Sequence, residues 1–97
     1  MTVTPTKNGM KMRLRRESEV QAKKMKELQE DGFYVIKLVS TNKNGIPDLI
    51  AIKPTGEILF VEVKAAKGRL SKLQEYRIKE LRDKGFNVEV YTDAEDK

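Results

Sequence analysis

The sequence predicts an α/β fold, with a small mixed sheet flanked by helices, and three observations support that prediction. The chain has 97 residues, which is the length of one small domain. Segments rich in helix formers alternate with β-branched and aromatic segments in the order helix, three strands, helix, strand. Both helical segments end at a glycine, Gly32 and Gly85, which is a common C-terminal signal. This alternation in so short a chain indicates one sheet covered by helices.

The predicted elements follow from local composition. Strands are recognised by β-branched and aromatic residues, and the segments between them by glycine, proline, asparagine and charged residues. Ser71 is a favoured N-cap residue and opens the second helix. In chain order we predict a helix over 14–31, strands over 33–40, 48–53 and 58–64, a basic loop over 65–70, a helix over 71–84 and a strand over 86–91.

Composition excludes several classes of chemistry. The chain contains no histidine and no cysteine, which excludes Ser-His-Asp triads, HNH-type nucleases and zinc hydrolases. No apolar run reaches the roughly 18 residues of a membrane helix, and no secretory signal opens the chain. Catalysis must therefore depend on carboxylates, lysines and oxygen-bound metal. The absence of cysteine is compatible with a cytoplasmic protein.

The net charge of +5 is concentrated in an N-terminal arm, residues 1–16, which has no acidic residue, whereas residues 17–97 balance. A second acid-free stretch, residues 64–72, is also basic. Such segments suit a polyanion such as DNA, and a solvated tail is the alternative. Beyond the arm we predict a domain over 17–92 and an acidic tail over 93–97 that frays. The candidate DNA contacts are Lys11, Arg13, Arg15, Arg16, Lys67, Arg69 and Lys72.

Two helical positions are polar where their neighbours are apolar. Glu17 falls inside the apolar stripe of the first helix, and Gln74 inside that of the second. A carboxylate that faces a core needs a partner, because burying it unpaired is costly. Two capping boxes offer a structural alternative, since residues 18–21 and 71–74 both fit Ser-x-x-Gln. If the first helix begins at Ser18, Glu17 precedes it and the stripe argument fails.

Charged residues converge at one end of the predicted hairpin. Side chains alternate along the third strand, so its odd-numbered residues form an apolar face, while Glu62 and Lys64 end the other face. Paired positions of the hairpin are expected to sum to about 111, which places Asp48 opposite Val63 and beside those two side chains. Two carboxylates and one lysine therefore meet at the end of the strand.

This arrangement suits a divalent cation. Two carboxylates within a few ångströms raise each other's pKa unless a cation lies between them. Mg²⁺ prefers oxygen ligands, and Asp48, Glu62 and the Val63 carbonyl would supply three of them. Lys64 would orient the attacking water or stabilise the charge that develops on a phosphodiester. An ion pair on a sheet surface is the alternative.

These residues resemble the signature of the PD-(D/E)XK nucleases, because Pro47-Asp48 is followed after 13 residues by Glu62-Val63-Lys64. The sequence is similar in more detail to the VRR-NUC family, over about residues 17–92. The order and spacing of five motifs carry that resemblance: Glu17-x-x-Val20-Gln21, Gly45-Ile46-Pro47-Asp48-Leu49-Ile50, Phe60-Val61-Glu62-Val63-Lys64, Gly68-Arg69-Leu70-Ser71-x-Leu73-Gln74 and Gly85-Phe86-x-Val88.

The resemblance implies a restriction-endonuclease-like αβββαβ core and DNA cleavage that depends on Mg²⁺ or Mn²⁺. It places Asp48, Glu62 and the Val63 carbonyl at the metal, with Glu17 reaching the metal through water. It makes Lys64 the catalytic lysine and sets Gln74 against the active site. Small stand-alone members resemble phage and bacterial proteins that dimerise and cut branched DNA such as Holliday junctions. The expected setting is therefore the cytoplasm of a bacterium or a phage-infected cell.

Two functions from different classes remain open at this point. One is a metal-dependent, structure-selective endonuclease, and the other is a nucleic-acid-binding module that keeps the fold without turnover. A third is a subunit that cuts only with a partner protein. A four-way junction must be cut on two strands related by a two-fold axis, which predicts a homodimer. Phe33, Tyr34 and Phe86 are apolar residues available for its interface, although each is equally compatible with a core position.

Overall fold

The computed structural model describes residues 14–94, and it confirms the predicted α/β class and order of elements. The candidate DNA contacts Lys11 and Arg13 lie outside the described residues, as do residues 95–97 of the predicted tail. No helix within residues 14–94 has the length and apolar character needed to cross a bilayer. The elements are α1 (Glu17–Glu30), β1 (Tyr34–Lys37), β2 (Leu49–Ile52), β3 (Ile58–Lys64), α2 (Lys72–Asp83) and β4 (Asn87–Thr92).

The four strands form one mixed sheet in the order β1-β2-β3-β4. The pairs β1–β2 and β2–β3 are antiparallel, and the pair β3–β4 is parallel. The β3–β4 connection contains α2, as a parallel pair requires a long crossover. As a result, the start of β2, the ends of β3 and β4 and the start of α2 all lie at one end of the sheet.

The register of the β2–β3 hairpin differs by one residue from the prediction. Leu49 pairs with Val61, so paired positions sum to 110 rather than about 111. The turn explains the difference, because the Lys53 N–H donates to the Glu57 carbonyl at 2.9 Å and closes a loop of three residues. Gly56 takes a φ of +90° in that loop, as the left-handed position of a three-residue hairpin loop requires.

The core lies between α1 and one face of the sheet. Val20 and Leu28 of α1 pack against a cluster of fully buried strand residues that includes Val61 and Val63. The predicted apolar face of β3 is therefore confirmed. On the opposite face, α2 contacts β4 and buries Ile78. Burial of apolar surface on both faces of β3 leaves its polar end, Glu62 and Lys64, with little access to water.

The two helix starts differ from each other, and one differs from its prediction. Arg16 is the N-cap of α1, so the helix begins at Glu17, three residues after the predicted start, and the alternative capping box at 18–21 does not form. Glu19, one turn in, accepts a hydrogen bond from the Arg16 N–H at 2.8 Å. Glu17 is therefore the first helical residue, as the stripe argument required. In α2 the predicted box is confirmed, because the Ser71 hydroxyl accepts from the Gln74 N–H at 3.1 Å.

The prediction that the chain frays from residue 93 is wrong for Asp93. Its side chain is only 3% exposed and receives two hydrogen bonds from the Arg15 guanidinium, at 2.9 and 3.2 Å. Its backbone N–H donates to the Lys64 carbonyl at 3.0 Å, which extends the β3–β4 pairing by one residue. A buried carboxylate whose two oxygens both accept from Arg15 Nη1 is part of the folded domain.

The three residues named for an interface between copies fall in different environments. Phe33 packs against the core cluster and is half-buried. Tyr34 and Phe86 are exposed, by 71% and 38%, on opposite edges of the sheet. Tyr34 and Phe86 therefore keep the exposure that an interface needs, and Phe33 does not.

Candidate active site

Asp48 and Glu62 lie side by side at the end of the central hairpin. Asp48 directly precedes β2, and its Oδ2 accepts a hydrogen bond from the Val63 N–H at 2.8 Å. Glu62, in the adjoining strand, is fully buried. Burial raises the pKa of Glu62 to about 8, and the charge of Asp48 raises it as well, against the lowering effect of Lys64. In the metal-free protein at neutral pH, Glu62 therefore holds a proton.

Gln74 joins the helix start to the two charged residues of β3. Its Nε2 donates to Glu62 Oε2 at 3.1 Å, and its Oε1 accepts from Lys64 Nζ at 3.5 Å. The same Oε1 accepts from the Ser71 N–H at 2.9 Å, as the reciprocal half of the capping box. The capping interpretation of Gln74 is therefore confirmed, and its contacts with Glu62 and Lys64 leave its role in an active site a prediction.

Lys64 connects this group to α1. Its ammonium lies 3.6 Å from Glu17 Oε1, and its side chain is 11% exposed compared with 42% for Glu17. A Cβ built on Gly68 would lie 3.3 Å from Lys64 Cε and from the backbone of Ala65. Glycine at 68 therefore lets the loop after β3 close over the lysine stem. The ammonium is held between an amide oxygen and a carboxylate at the mouth of the site.

The donor atoms at this position fit a hard divalent cation. Glu62 Oε1 is a buried oxygen that has no hydrogen-bond partner within residues 14–94. The Asp48 carboxylate lies beside it, and the Val63 carbonyl belongs to the residue between Glu62 and Lys64. No cluster of three or more acidic, histidine or cysteine side chains suited to a metal occurs in the described part of the chain. The site therefore offers two carboxylates, which is the donor set that Mg²⁺ accepts when water and substrate phosphate complete its shell.

Five candidate DNA contacts lie within residues 14–94, and they differ in their environment. Lys67 and Arg69 are exposed in the loop that directly follows Lys64, and Lys72 is exposed at the first residue of α2. Arg16 is exposed before α1. Arg15 differs, because its guanidinium binds the buried Asp93. A DNA contact by Arg15 stays a prediction, with a structural role now established beside it.

Asp93 is the residue near the site that the sequence did not reveal. It follows a strand and precedes further acidic residues, so its local pattern is that of an exposed tail. Its partner Arg15 is 78 positions away, and no local spacing connects the two. The one signal in the sequence that could have indicated Asp93 is its position, because it is the first acidic residue directly after the last strand.

Comparison with known proteins identifies the family of this domain. A family model described as the VRR-NUC domain matches residues 10–94, which extends beyond the predicted bounds of 17–92 at both ends. A solved structure described as a VRR_NUC domain superposes with a TM-score of 0.71 and 33% identity, covering 80% of this chain and 84% of its own.

One relative from a phage is also similar. "Putative nuclease p44" of Acyrthosiphon pisum secondary endosymbiont phage 1 is 39% identical over 54 residues, which is 56% of this chain. This match spans 58% of the relative's own length. The family model covers most of the chain, and the solved structure shares its fold and a third of its aligned sequence. The chain therefore belongs to the VRR-NUC family of nuclease domains.

Proposed function

We propose that this nuclease domain is a metal-dependent endonuclease that hydrolyses phosphodiester bonds in branched DNA such as Holliday junctions. The observation that carries the proposal is the single contact network formed by Gln74, Glu62, Lys64 and Glu17 around a buried carboxylate oxygen without a partner. A buried carboxyl of raised pKa beside a second carboxylate is typical of a functional site rather than of a structural ion pair.

Mg²⁺ or Mn²⁺ is the proposed cofactor. Asp48, Glu62 and the Val63 carbonyl would hold it, with Glu17 contributing through a water molecule. When bound, such an ion lowers the pKa of water and neutralises charge on the phosphate. Glu62 releases its proton on binding a cation, so apparent metal affinity is expected to rise with pH toward about 8.

Lys64 has the proposed catalytic role at the phosphate. Gln74 and Glu17 hold its ammonium from two sides, which fixes its direction without using all three of its donors. A fixed ammonium in a site with little water stabilises negative charge on the phosphate oxygens in the transition state. Water adds to phosphorus, and the P–O bond breaks to leave one phosphate end and one hydroxyl end.

The proposed DNA contacts surround this site. Lys67 and Arg69 are exposed in the loop that directly follows Lys64, so we expect their charges to contact phosphates near the one that reacts. Lys72 and Arg16 flank the starts of α2 and α1, which meet at the same site. Phosphate contacts of this kind hold the strand in register without reading its sequence.

A homodimer is the proposed assembly, since two symmetric cuts need two sites related by a two-fold axis. An open apolar face of the sheet supports it. Tyr34 and Ile36 alternate with the core-facing Val35 of β1, and they are 71% and 40% exposed. Ile36 pairs with Ile50, and Ile50 with Phe60, so apolar side chains continue across three strands. The expected mass is about twice the 11.1 kDa of one chain, and sedimentation equilibrium measures it.

Cleavage assays on plasmid and four-way-junction DNA, with Mg²⁺, Mn²⁺ or a chelator, test the activity. Asp48→Asn and Glu62→Gln should each lower the rate by at least about 10³-fold, because each removes one of two metal carboxylates. Glu57→Gln is the matched control, because Glu57 is an exposed carboxylate at the far end of the same hairpin.

Three results would contradict the proposal. Wild-type rates in either site variant would exclude the metal assignment, and metal-independent cleavage would exclude the cofactor. Junction binding without cleavage under every metal condition would favour the nucleic-acid-binding module. Calorimetric titration of Mg²⁺ or Mn²⁺ into the same variants separates a lost metal site from a lost catalytic step.

A further inference from the structure

Asp93 is a buried charged residue that the proposed chemistry does not use. Its carboxylate accepts two hydrogen bonds from Arg15, and the Lys23 ammonium lies 3.9 Å from its Oδ1. Both cations belong to the first half of α1 or to the residues just before it. A buried carboxylate is tolerated only with such partners, since removing them leaves an uncompensated charge. Asp93 therefore ties the beginning of α1 to the end of β4.

The backbone of Asp93 is joined to the proposed catalytic lysine. Its N–H donates to the Lys64 carbonyl at 3.0 Å. One residue thus bonds to Lys64 through its main chain and to the start of α1 through its side chain. Glu17, two positions after Arg15, faces the Lys64 ammonium at 3.6 Å. Asp93 therefore contacts both segments that carry the Glu17–Lys64 pair.

The start of α1 depends on contacts with Asp93 because its own N-cap is weaker than that of α2. The N-cap of α1 is Arg16, and a guanidinium has no acceptor for the amides of the first turn. The N-cap of α2 is Ser71, whose hydroxyl accepts such an amide. A first turn without an accepting cap side chain frays more readily. The side-chain cap of this turn is limited to Glu19, which accepts from the Arg16 N–H, so the position of Glu17 depends more on contacts from elsewhere in the fold.

We propose that Asp93 is a positioning residue that holds Glu17 against Lys64. This inference rests on the nuclease function proposed above. Asp93 touches neither substrate nor metal, and it acts through the Arg15 and Lys23 contacts on α1 and through the Lys64 carbonyl on β3. A residue with a purely structural role would lower stability when changed and leave the Glu17–Lys64 pair as it is.

A double-mutant cycle between Asp93→Asn and Glu17→Gln tests the coupling. Asp93→Asn alone should lower kcat by about tenfold to 100-fold with little change in KM, as a misplaced group does. In the Glu17→Gln background, Asp93→Asn should cause no further loss of kcat, because its effect passes through Glu17. Independent losses that multiply in the double variant would overturn the inference.

Glu89→Gln is the matched control for this cycle. Glu89 is a β4 carboxylate that pairs with Lys24 of α1 at 3.5 Å, and it makes no contact with Lys64 among the described residues. Its removal should lower the melting temperature without changing kcat. If Asp93→Asn does not fold, Arg15→Lys replaces it, since lysine keeps the charge on a shorter side chain and so withdraws it from the position where Arg15 Nη1 contacts both Asp93 oxygens. An equal loss of kcat in Glu89→Gln would show that any α1–β4 contact has the same effect.

A second readout does not depend on cleavage. The NMR signal of the Lys64 ammonium in the metal-free protein should shift in Asp93→Asn and in Glu17→Gln, and stay in place in Glu89→Gln. An unchanged signal in Asp93→Asn would overturn the positioning role even if the protein cuts DNA. If the wild-type protein fails to cleave any DNA, the proposed function is wrong, and the NMR comparison still decides the role of Asp93.

Discussion

The two helix starts, residues 14–20 and 71–74, bring one polar side chain each to the same pair of strand residues by different means. In α2, Gln74 is placed by its neighbour Ser71 through two reciprocal hydrogen bonds, of 2.9 and 3.1 Å, that span three positions of chain. In α1, Glu17 is held near Lys64 by a helix whose beginning is tied to Asp93. The α2 start is locally determined, and the α1 start is determined by the tertiary fold.

This difference indicates how each side chain responds to change. A locally capped turn keeps its geometry while α2 exists, and its loss costs about 1 kcal/mol. A turn held by an ion pair to a buried carboxylate depends on distant residues remaining in place. A substitution at the start of α2 should therefore be able to change stability without changing activity, or activity without changing stability. A substitution near the start of α1 should act mainly by changing the distance between Glu17 and Lys64.

The largest expected effect is at Lys64, where the two helix starts meet. Lys64→Met should lower kcat by about 10³-fold, because its ammonium stabilises the transition state, while metal affinity measured by calorimetry is retained. Both Glu17 and Gln74 lose a partner in this variant, so a further change of Glu17 should then lower kcat by less than it does in the wild type.

Lys84→Met is the control for Lys64, because Lys84 caps the far end of α2 and is exposed. It should keep both kcat and metal affinity. If Lys64→Met instead loses DNA affinity in proportion to its rate, Lys64 only binds phosphate.

The second effect is a pH dependence of stability that originates at Glu62, the acceptor for Gln74. The folded metal-free protein keeps the Glu62 proton up to about pH 8, whereas the unfolded chain loses it near the ordinary glutamate pKa of 4.5. Unfolding between these values releases a proton, so the free energy of unfolding falls as pH rises, by a few kcal/mol in all. Urea denaturation with a chelator, across this range, measures it.

Glu62→Gln isolates this contribution, because the amide has no proton to release. The stability of wild type relative to Glu62→Gln should decline steadily from pH 4.5 to about 8 and level off above it. A constant difference across that range would show that Glu62 titrates normally in the folded protein. Saturating Mg²⁺ should reduce the decline, since a bound cation replaces the proton.

The smallest effects separate the two roles of Gln74. Gln74→Glu keeps an oxygen for the Ser71 N–H but replaces the amide donor to Glu62 with a carboxylate. Losing that hydrogen bond should cost about 2 kcal/mol in transition-state stabilisation, or about 30-fold in kcat. Ser71→Ala has the opposite pattern: it should cost about 1 kcal/mol of stability and change kcat less than about threefold. Melting curves and kcat for both variants check the separation, and equal kcat losses would mean that the cap itself orders the site.

Much of the candidate site was predictable because its residues are close in sequence or paired by a hairpin. The α2 box and the alternation of β3 are local patterns, and they correctly placed Gln74, Glu62 and Lys64. The hairpin arithmetic brought Asp48 to the right place although its register was off by one, since the register depends on the three-residue turn at Gly56. A one-residue error at the strand end still leaves Asp48 within reach of Glu62.

The sequence by itself determined the order of elements, the apolar face of β3, the capped start of α2 and the cluster of Asp48, Glu62 and Lys64. All of these depend on periodicity, turns and capping, which act over a few residues. Only the tertiary structure decided the start of α1, the burial of Asp93 and the full burial of Glu62. An ion pair between Arg15 and the buried Asp93 joins positions 78 residues apart, so its partners become neighbours only when α1 packs on the completed sheet. The raised pKa of Glu62 has the same origin, because desolvation is a property of the packed core and not of any local pattern.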